Sequence, residues 1–336
     1  LDSGLRKLMP PLMAKAARRF KDDPIALMRG NMKIGWNGQP GQPATVAWNQ
    51  GLVLLDGNAI ETGLPIQHIQ GQIDRLSGDF DGRTLRARGV LDLDSVNVGG
   101  LQVTAIRAPW EVEGKQAPLP DFSARLLGGQ VGGRASTTLE ENPRHHLEMR
   151  VQDADLSELA LNLPGTEGFR GRLAAEIVTD GVGADRRGVS GRGWARVVEG
   201  DLGRLPAYFA LVKFLKLNLN RVNATAFDDA SVRFRLAEGV ASLDRIALQG
   251  DAFSLEGGGY LSARDELDLR LKLLLGRDRQ FHVPVVSDLV REAAGQLFMI
   301  RVQGRPTAPS YRLEALPGAS DLIRDSLGSL RPGAQR

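Results

Sequence analysis

A chain of 336 residues with 42% hydrophobic, 25% charged and only 5% aromatic side chains is globular, and it is long enough for one large or two ordinary domains. Its 40 glycines and 17 prolines exclude a helical bundle, and the absence of cysteine excludes a disulfide scaffold, thiolate metal sites and cysteine nucleophiles. The net charge of +3 sits at one end: residues 1–35 carry eight Lys/Arg against three acids, leaving a near-neutral body without the basic face of a nucleic-acid binder, so no nucleic-acid partner is expected.

From the N-terminus, Leu5, Leu8, Met9, Leu12, Met13, Ala16, Ala17 and Phe20 fall at helical spacing. Pro10 and Pro11 interrupt it, which predicts a short amphipathic helix at about 11–21 inside a basic segment, 1–28. Lys15, Arg18, Arg19 and Lys21 decorate that helix. It can lie on an anionic membrane, or pack on the body with its charges in water. The sequence starts at Leu1 without a secretory pattern, and no stretch nears the roughly 20 apolar residues of a membrane span. A piece of a longer chain, with any anchor missing, is the expectation.

From Met32 onward the period becomes two. Leu85, Ala87, Gly89, Leu91 and Leu93 alternate with Arg86, Arg88, Asp92 and Asp94. Leu147, Met149 and Val151 alternate with His146, Glu148 and Arg150, and Val232, Phe234 and Leu236 with Arg233 and Arg235. The clearest run is Leu267, Leu269, Leu271, Leu273 and Leu275 against Asp268, Arg270 and Lys272. One apolar and one polar face per strand is the mark of antiparallel sheet covered on one side. Turn signals fall at Gly78–Gly82, Glu140–Pro143, Asp180–Gly188, Glu238–Gly239 and Gly257–Gly259. The fold class predicted is mainly β, a long antiparallel meander. Its parts are a first β-meander over 29–160, a β-region with two helices over 161–317, and a tail over 318–336.

The two internal helices are expected at 206–217 and about 286–298. The first, opened by Pro206, is apolar apart from Lys213 and Lys216, and at about 18 Å it is too short to cross a bilayer. Its Phe209, Val212, Phe214 and Leu215 can plug the end of a sheet or touch lipid, with the lysines at headgroup level. The second carries Val286, Leu289, Val290, Ala293 and Leu297 on one face.

No constellation of catalytic residues emerges. His145 and His146 are adjacent, so on a strand they point to opposite faces and cannot share a metal, and His68 and His282 have no partner at ligand spacing. Asp153, Asp155 and Glu158, and the pair Asp228/Asp229, read as turn and cap residues. An enzyme would require Asp153, Asp155 or Glu158 to converge in a cleft with another acid. The glycine clusters Gly128-Gly129, Gly132-Gly133 and Gly257–Gly259 open no helix and precede no Lys-Ser/Thr, so they make no phosphate loop. No metal, cofactor or enzymatic activity is expected.

One-sided strands must cover their apolar face. A second sheet gives a packed sandwich, whereas acyl chains give a lipid-lined trough. Here a resemblance bears on the choice. GLPIQHIQGQID (63–74), FSARLLGGQVGGRAS (122–136), GVSGRGWARVVEGDLGRLP (188–206), the run of strands over 225–275 and VQGRPTAPSYRLEALP (302–317) resemble, in this order, the C-terminal region of the AsmA-like family of bacterial envelope proteins. That family is related to the TamB- and YhdP-type bridge-like lipid transfer proteins. The resemblance covers about residues 60–317 and rests on glycines and alternation, with the segment 1–28 outside it. It implies a periplasmic protein, anchored in the inner membrane through a segment absent here. It also implies an open barrel or taco-like groove that holds phospholipid or another envelope lipid, and a link to outer-membrane biogenesis and its assembly proteins. Each CH₂ buried there is worth about 0.8 kcal/mol. Leu147, Met149, Val151, Val232, Phe234, Leu236, Leu267, Leu269, Leu271 and Leu273 are the expected lining. The alternative is a non-catalytic structural or assembly module with a fully packed β-core that acts through protein contacts.

Overall fold

The computed structural model describes residues 20–21, 27–35, 45–61, 65–161, 169–183, 185–201, 229–250, 253–275, 298–306 and 308–315. They are almost entirely antiparallel strand, as the alternation predicts. Two units divide them: one from Leu1–Pro164, Leu173–Gly193 and Leu236–Gly239, the other from Gly165–Arg172, Trp194–Arg235 and Val240–Arg336.

The first unit begins with β1 (Phe20–Lys21), β2 (Leu27–Gly35), β3 (Thr45–Glu61), β4 (Pro65–Phe80) and β5 (Leu85–Val98). It continues through β6 (Leu101–Glu113), β7 (Gln116–Leu126), β8 (Gly129–Thr138) and β9 (Arg144–Asp155). Most of β10 (Arg170–Val182) and the start of β11 (Val189–Asp201) belong to it as well. From β2 to β9 each strand pairs with the next. In the second unit β13 (Val240–Gln249), β14 (Phe253–Leu261), β15 (Leu267–Leu275), β16 (Phe298–Arg305) and β17 (Ala308–Ala315) pair in the same succession. β12 (Asp229–Ala237) precedes them.

Apolar clusters in the first unit lie along one face of the sheet. Trp48, Leu76, Leu85, Ala87, Val112 and Ala117 form one, and Ile69, Leu93 and Val96 form a second. Ala124, Leu127, Val131, Val151 and Ala154 form a third. Each valine, leucine or isoleucine among them, fully buried, contributes about 1.5–3 kcal/mol. Two tryptophans face glycine across the ladder: Trp48 opposite Gly78 and Trp110 opposite Gly89. A Cβ on Gly78 would stand 2.6 Å from Trp48 Cζ2, and one on Gly89 2.9 Å from Trp110 Nε1, so each indole occupies the space its partner leaves.

The long strands are broken by bulges. β4 carries two, at His68 and Arg75, both with positive φ and both where its pairing with β5 shifts register. Each inserts one residue, so the inward side chains of β4 run Ile66, Ile69, Ile73, Leu76, with the phase reset twice.

Several expectations need correction. Phe20–Lys21, assigned to the end of a helix at 11–21, is a strand paired with Ile60 and Ala59 of β3, where backbone bonding to a long neighbour prevails over helical spacing. Residues 11–19 lie outside the described residues, as do 206–217 (with Phe209, Val212, Phe214 and Leu215), 286–297 and 318–336. Phe298, placed at the end of the third helix, begins β16 and stands opposite Leu273. Gly257–Gly259 is not a turn but the middle of β14, where a Cβ on Gly257 or Gly259 would collide with a β15 carbonyl. Gly78 stays in β4, and the turn lies at Asp81–Thr84, whose Arg83 and Thr84 amides donate to Asp81 and hold its carboxyl below the usual range.

Candidate functional site

The apolar face of the second unit is a set of complete cross-strand rows. One row runs Ile246, Gly257, Leu271, Ile300, Leu313 from β13 to β17. On one side of it runs Leu243, Gly259, Leu269, Val302, Tyr311, and on the other Leu248, Leu255, Leu273, Phe298, Ala315. Between them, on the opposite face, lie the rows Ala247, Glu256, Lys272, Met299, Glu314 and Gly258, Arg270, Arg301, Arg312, with Ser242, Tyr260, Asp268, Gln303, Ser310 just beyond the Leu243 row. Because strand side chains alternate, register alone makes one face aliphatic and the other largely polar. The centre of the apolar face is well covered: Leu255, Leu271, Ile300 and Val302 are only 3–5% exposed. Leu267 and Leu269 are half-buried.

The expected lining residues therefore fall into three groups. On β9, Leu147 and Met149 are half-buried and Val151 is buried; they stand opposite Ala135, Gly133 and Val131 of β8. Val151 packs in the cluster that also holds Leu173 and Ala175 of β10. On β12, Val232, Phe234 and Leu236 are half-buried and alternate with exposed Arg233, Arg235 and Ala237. On β15, Leu267, Leu269 and Leu271 share the face just described, and Leu273 holds the matching backbone position. Sequence reasoning missed Leu255, Ile300 and Val302, which complete the most buried patch. Alternation in FMIRVQG marks the last two, whereas the glycines of β14 hide Leu255 in a broken pattern.

The polar face is knitted by cross-strand ion pairs. Arg86 stands between Asp79 and Glu113, Arg88 opposite Glu111, Arg107 opposite Asp92 and Arg134 opposite Glu148. Arg86 reaches Asp79 at 3.1 Å, Arg107 reaches Asp92 at 3.2 Å, and Arg134 reaches Glu148 at 2.7 Å. Arg235 forks onto Asp244 with two bonds of 2.7 Å. Arg301 bonds Asp268 at 2.9 Å and holds that carboxyl below its ordinary range.

The adjacent histidines do face opposite ways. His145 Nε2 donates to the Gly183 carbonyl at 3.0 Å, and its Nδ1 lies 2.9 Å from the Thr137 hydroxyl. His146 bridges Asp180 at 2.8 Å and Glu148 at 3.2 Å, and these carboxylates raise its pKa.

Two of the acids considered for chemistry have structural partners, and Asp228 lies outside the described residues. Asp155 accepts from the Ser157 amide at 2.9 Å and so caps the short 3₁₀ turn Leu156–Leu161. Asp229, read as a turn residue, instead opens β12 and pairs with Arg196. Among the described residues no group of three or more His, Asp or Glu could hold a metal, and no helix is long and apolar enough to cross a membrane. A shallow depression of about 610 Å³ lies over β7–β10, floored by Gly132 and Gly133 and rimmed by Arg134, Glu148, Arg150 and Glu176, with its arginines tied to its glutamates. No family model, no curated protein and no solved structure matches this chain.

Proposed function

We propose that the chain is a lipid-binding or lipid-transfer module of the bacterial cell envelope, and that the apolar face of its strands holds acyl chains while headgroups remain in water. The observation that carries this reading is the run of three uncharged cross-strand rows from β13 to β17, built mainly of aliphatic residues and crossing a single bulge in β13 between Leu243 and Ile246. The order of AsmA-like sequence patterns over about 60–317 supports it. In this reading the protein works in the periplasm, joined to the inner membrane by a segment outside this sequence. Phospholipid or another envelope lipid is its ligand, and outer-membrane assembly proteins are its partners. It needs no cofactor and catalyses no reaction.

A second reading has its own observation. Leu255, Leu271, Ile300 and Val302 are already almost wholly out of water, as in a dry structural core. A packed assembly module acting through protein contacts would show the same burial.

Native mass spectrometry of the purified chain, with extraction of what co-purifies, separates the two. The lipid reading expects phospholipid at a defined ratio, lost in Leu271→Asp and retained in Lys272→Gln on the opposite face. Should Leu271→Asp fail to fold, Leu269→Asn, at a half-buried site, takes its place. A folded, lipid-free protein would overturn the proposal in favour of the packed module.

A further inference from the structure

Across the first unit, cross-strand charges obey one rule. No two like charges stand directly opposite in the register from β4 to β9, and four arginines there face carboxylates: Arg86 by Asp79 and Glu113, Arg88 by Glu111, Arg107 by Asp92, Arg134 by Glu148. Like charges placed directly opposite one another are destabilising, so the rule has a plain physical origin. In the second unit one row breaks it. Arg270 on β15 stands opposite Arg301 on β16, and Arg301 stands opposite Arg312 on β17. On the fourth strand the row continues into Gly258, which brings no side chain at all.

Three guanidinium groups thus occupy neighbouring strands, spanning about 10 Å at ordinary strand spacing. Arg301 is tied to Asp268 at 2.9 Å. Arg270 and Arg312 are exposed and make no ion pair among the described residues. The carboxylates nearest in register are Asp268 in the row on one side and Glu256 and Glu314 in the row on the other. Lys272, between those two glutamates' strands, offsets part of their charge. Asp268 also lies within electrostatic reach of Arg270 but closes its ion pair with Arg301, so Arg270 and Arg312 are the cations of the row open to an external anion.

We propose that the Arg270–Arg301–Arg312 row is a docking surface for the phosphate groups of anionic phospholipid headgroups. Guanidinium forks match phosphate oxygens bidentately, and a row on an exposed sheet face meets an array of charges without enclosing any one of them. The inference goes beyond the acyl-chain reading and does not depend on it, since headgroup contact on the polar face can hold whether the apolar face is lipid-lined or dry.

The test is co-sedimentation of the whole chain with vesicles of phosphatidylcholine, with and without phosphatidylglycerol. The inference expects binding only with the anionic lipid, weakened by added salt, and cut at least tenfold in the double variant Arg270→Glu/Arg312→Glu. Arg125→Glu, an exposed arginine on the first unit, should bind as the parent does. The milder Arg270→Gln should leave the urea midpoint unchanged or raised, because it relieves repulsion. No binding to anionic vesicles overturns the proposal, as does an equal loss in Arg125→Glu, which would mean general charge attraction. Binding of inorganic phosphate or pyrophosphate by calorimetry, without vesicle binding, overturns the membrane source and leaves a site for soluble phosphate.

Discussion

His146 shows how much one residue's surroundings add to its identity. The sequence places it on the polar side of a strand, and nothing within its own strand foretells Asp180, 34 positions away and 2.8 Å from its ring. Arg134 from β8, Glu148 and Arg150 from β9, and Glu176 and Asp180 from β10 are the charged groups of that polar face, and the two carboxylates on the ring favour its protonated form. A raised folded pKa means a contribution complete below the unfolded value of about 6.5 and lost as pH rises through the higher folded value. Urea midpoints from about pH 5 to about pH 9 should therefore fall across that window in the parent chain more than in His146→Asn. Parallel curves would show that the bridge contributes nothing to folding.

At the scale of the element, the strands most legible in the sequence are those whose alternation is unbroken. β15 is predicted and observed at Leu267–Leu275, and its inward leucines meet Ile300 and Val302 in register. In the sequence Gly257–Gly259 has the look of a turn, whereas in β14 its glycines serve close approach. Their missing side chains let β14 lie against β15, with Leu271 set over Gly257. The face assignment can be checked by paired truncations. Leu271→Ala should cost about 2–5 kcal/mol in urea unfolding, while Lys272→Ala, exposed on the other face, stays within about 0.5 kcal/mol. Equal effects would mean that the two faces are not as unlike as their register requires.

Over the whole molecule, the antiparallel meander could be read from period two and turn spacing, because from β2 to β9 and from β13 to β17 each strand bonds to its sequence neighbour. The candidate site was legible only in part: the leucines of β15 stand out, but the rows that join them to β13, β14, β16 and β17 depend on register. Register in turn depends on bulges that leave no mark in the sequence. Ile66, Ile69, Ile73 and Leu76 of β4 are spaced three, four and three apart, a helical cadence produced by a strand with His68 and Arg75 inserted.

Those insertions make the sheet tolerant of one particular kind of change. Arg75 is exposed, and β4 carries one residue more than both β3 and β5 where it sits. Excising it would bring Asp74 and Leu76 together, with Leu76 still opposite Gly51 and every inward residue still inward. Removing Asp92 from β5, where pairing with β6 is unbroken, would turn half the strand inside out. The Arg75 deletion should fold and the Asp92 deletion should not, as circular dichroism and cooperative urea unfolding would show. The length of this chain is thus open to editing one residue at a time, but only at the places where the backbone already carries a spare one.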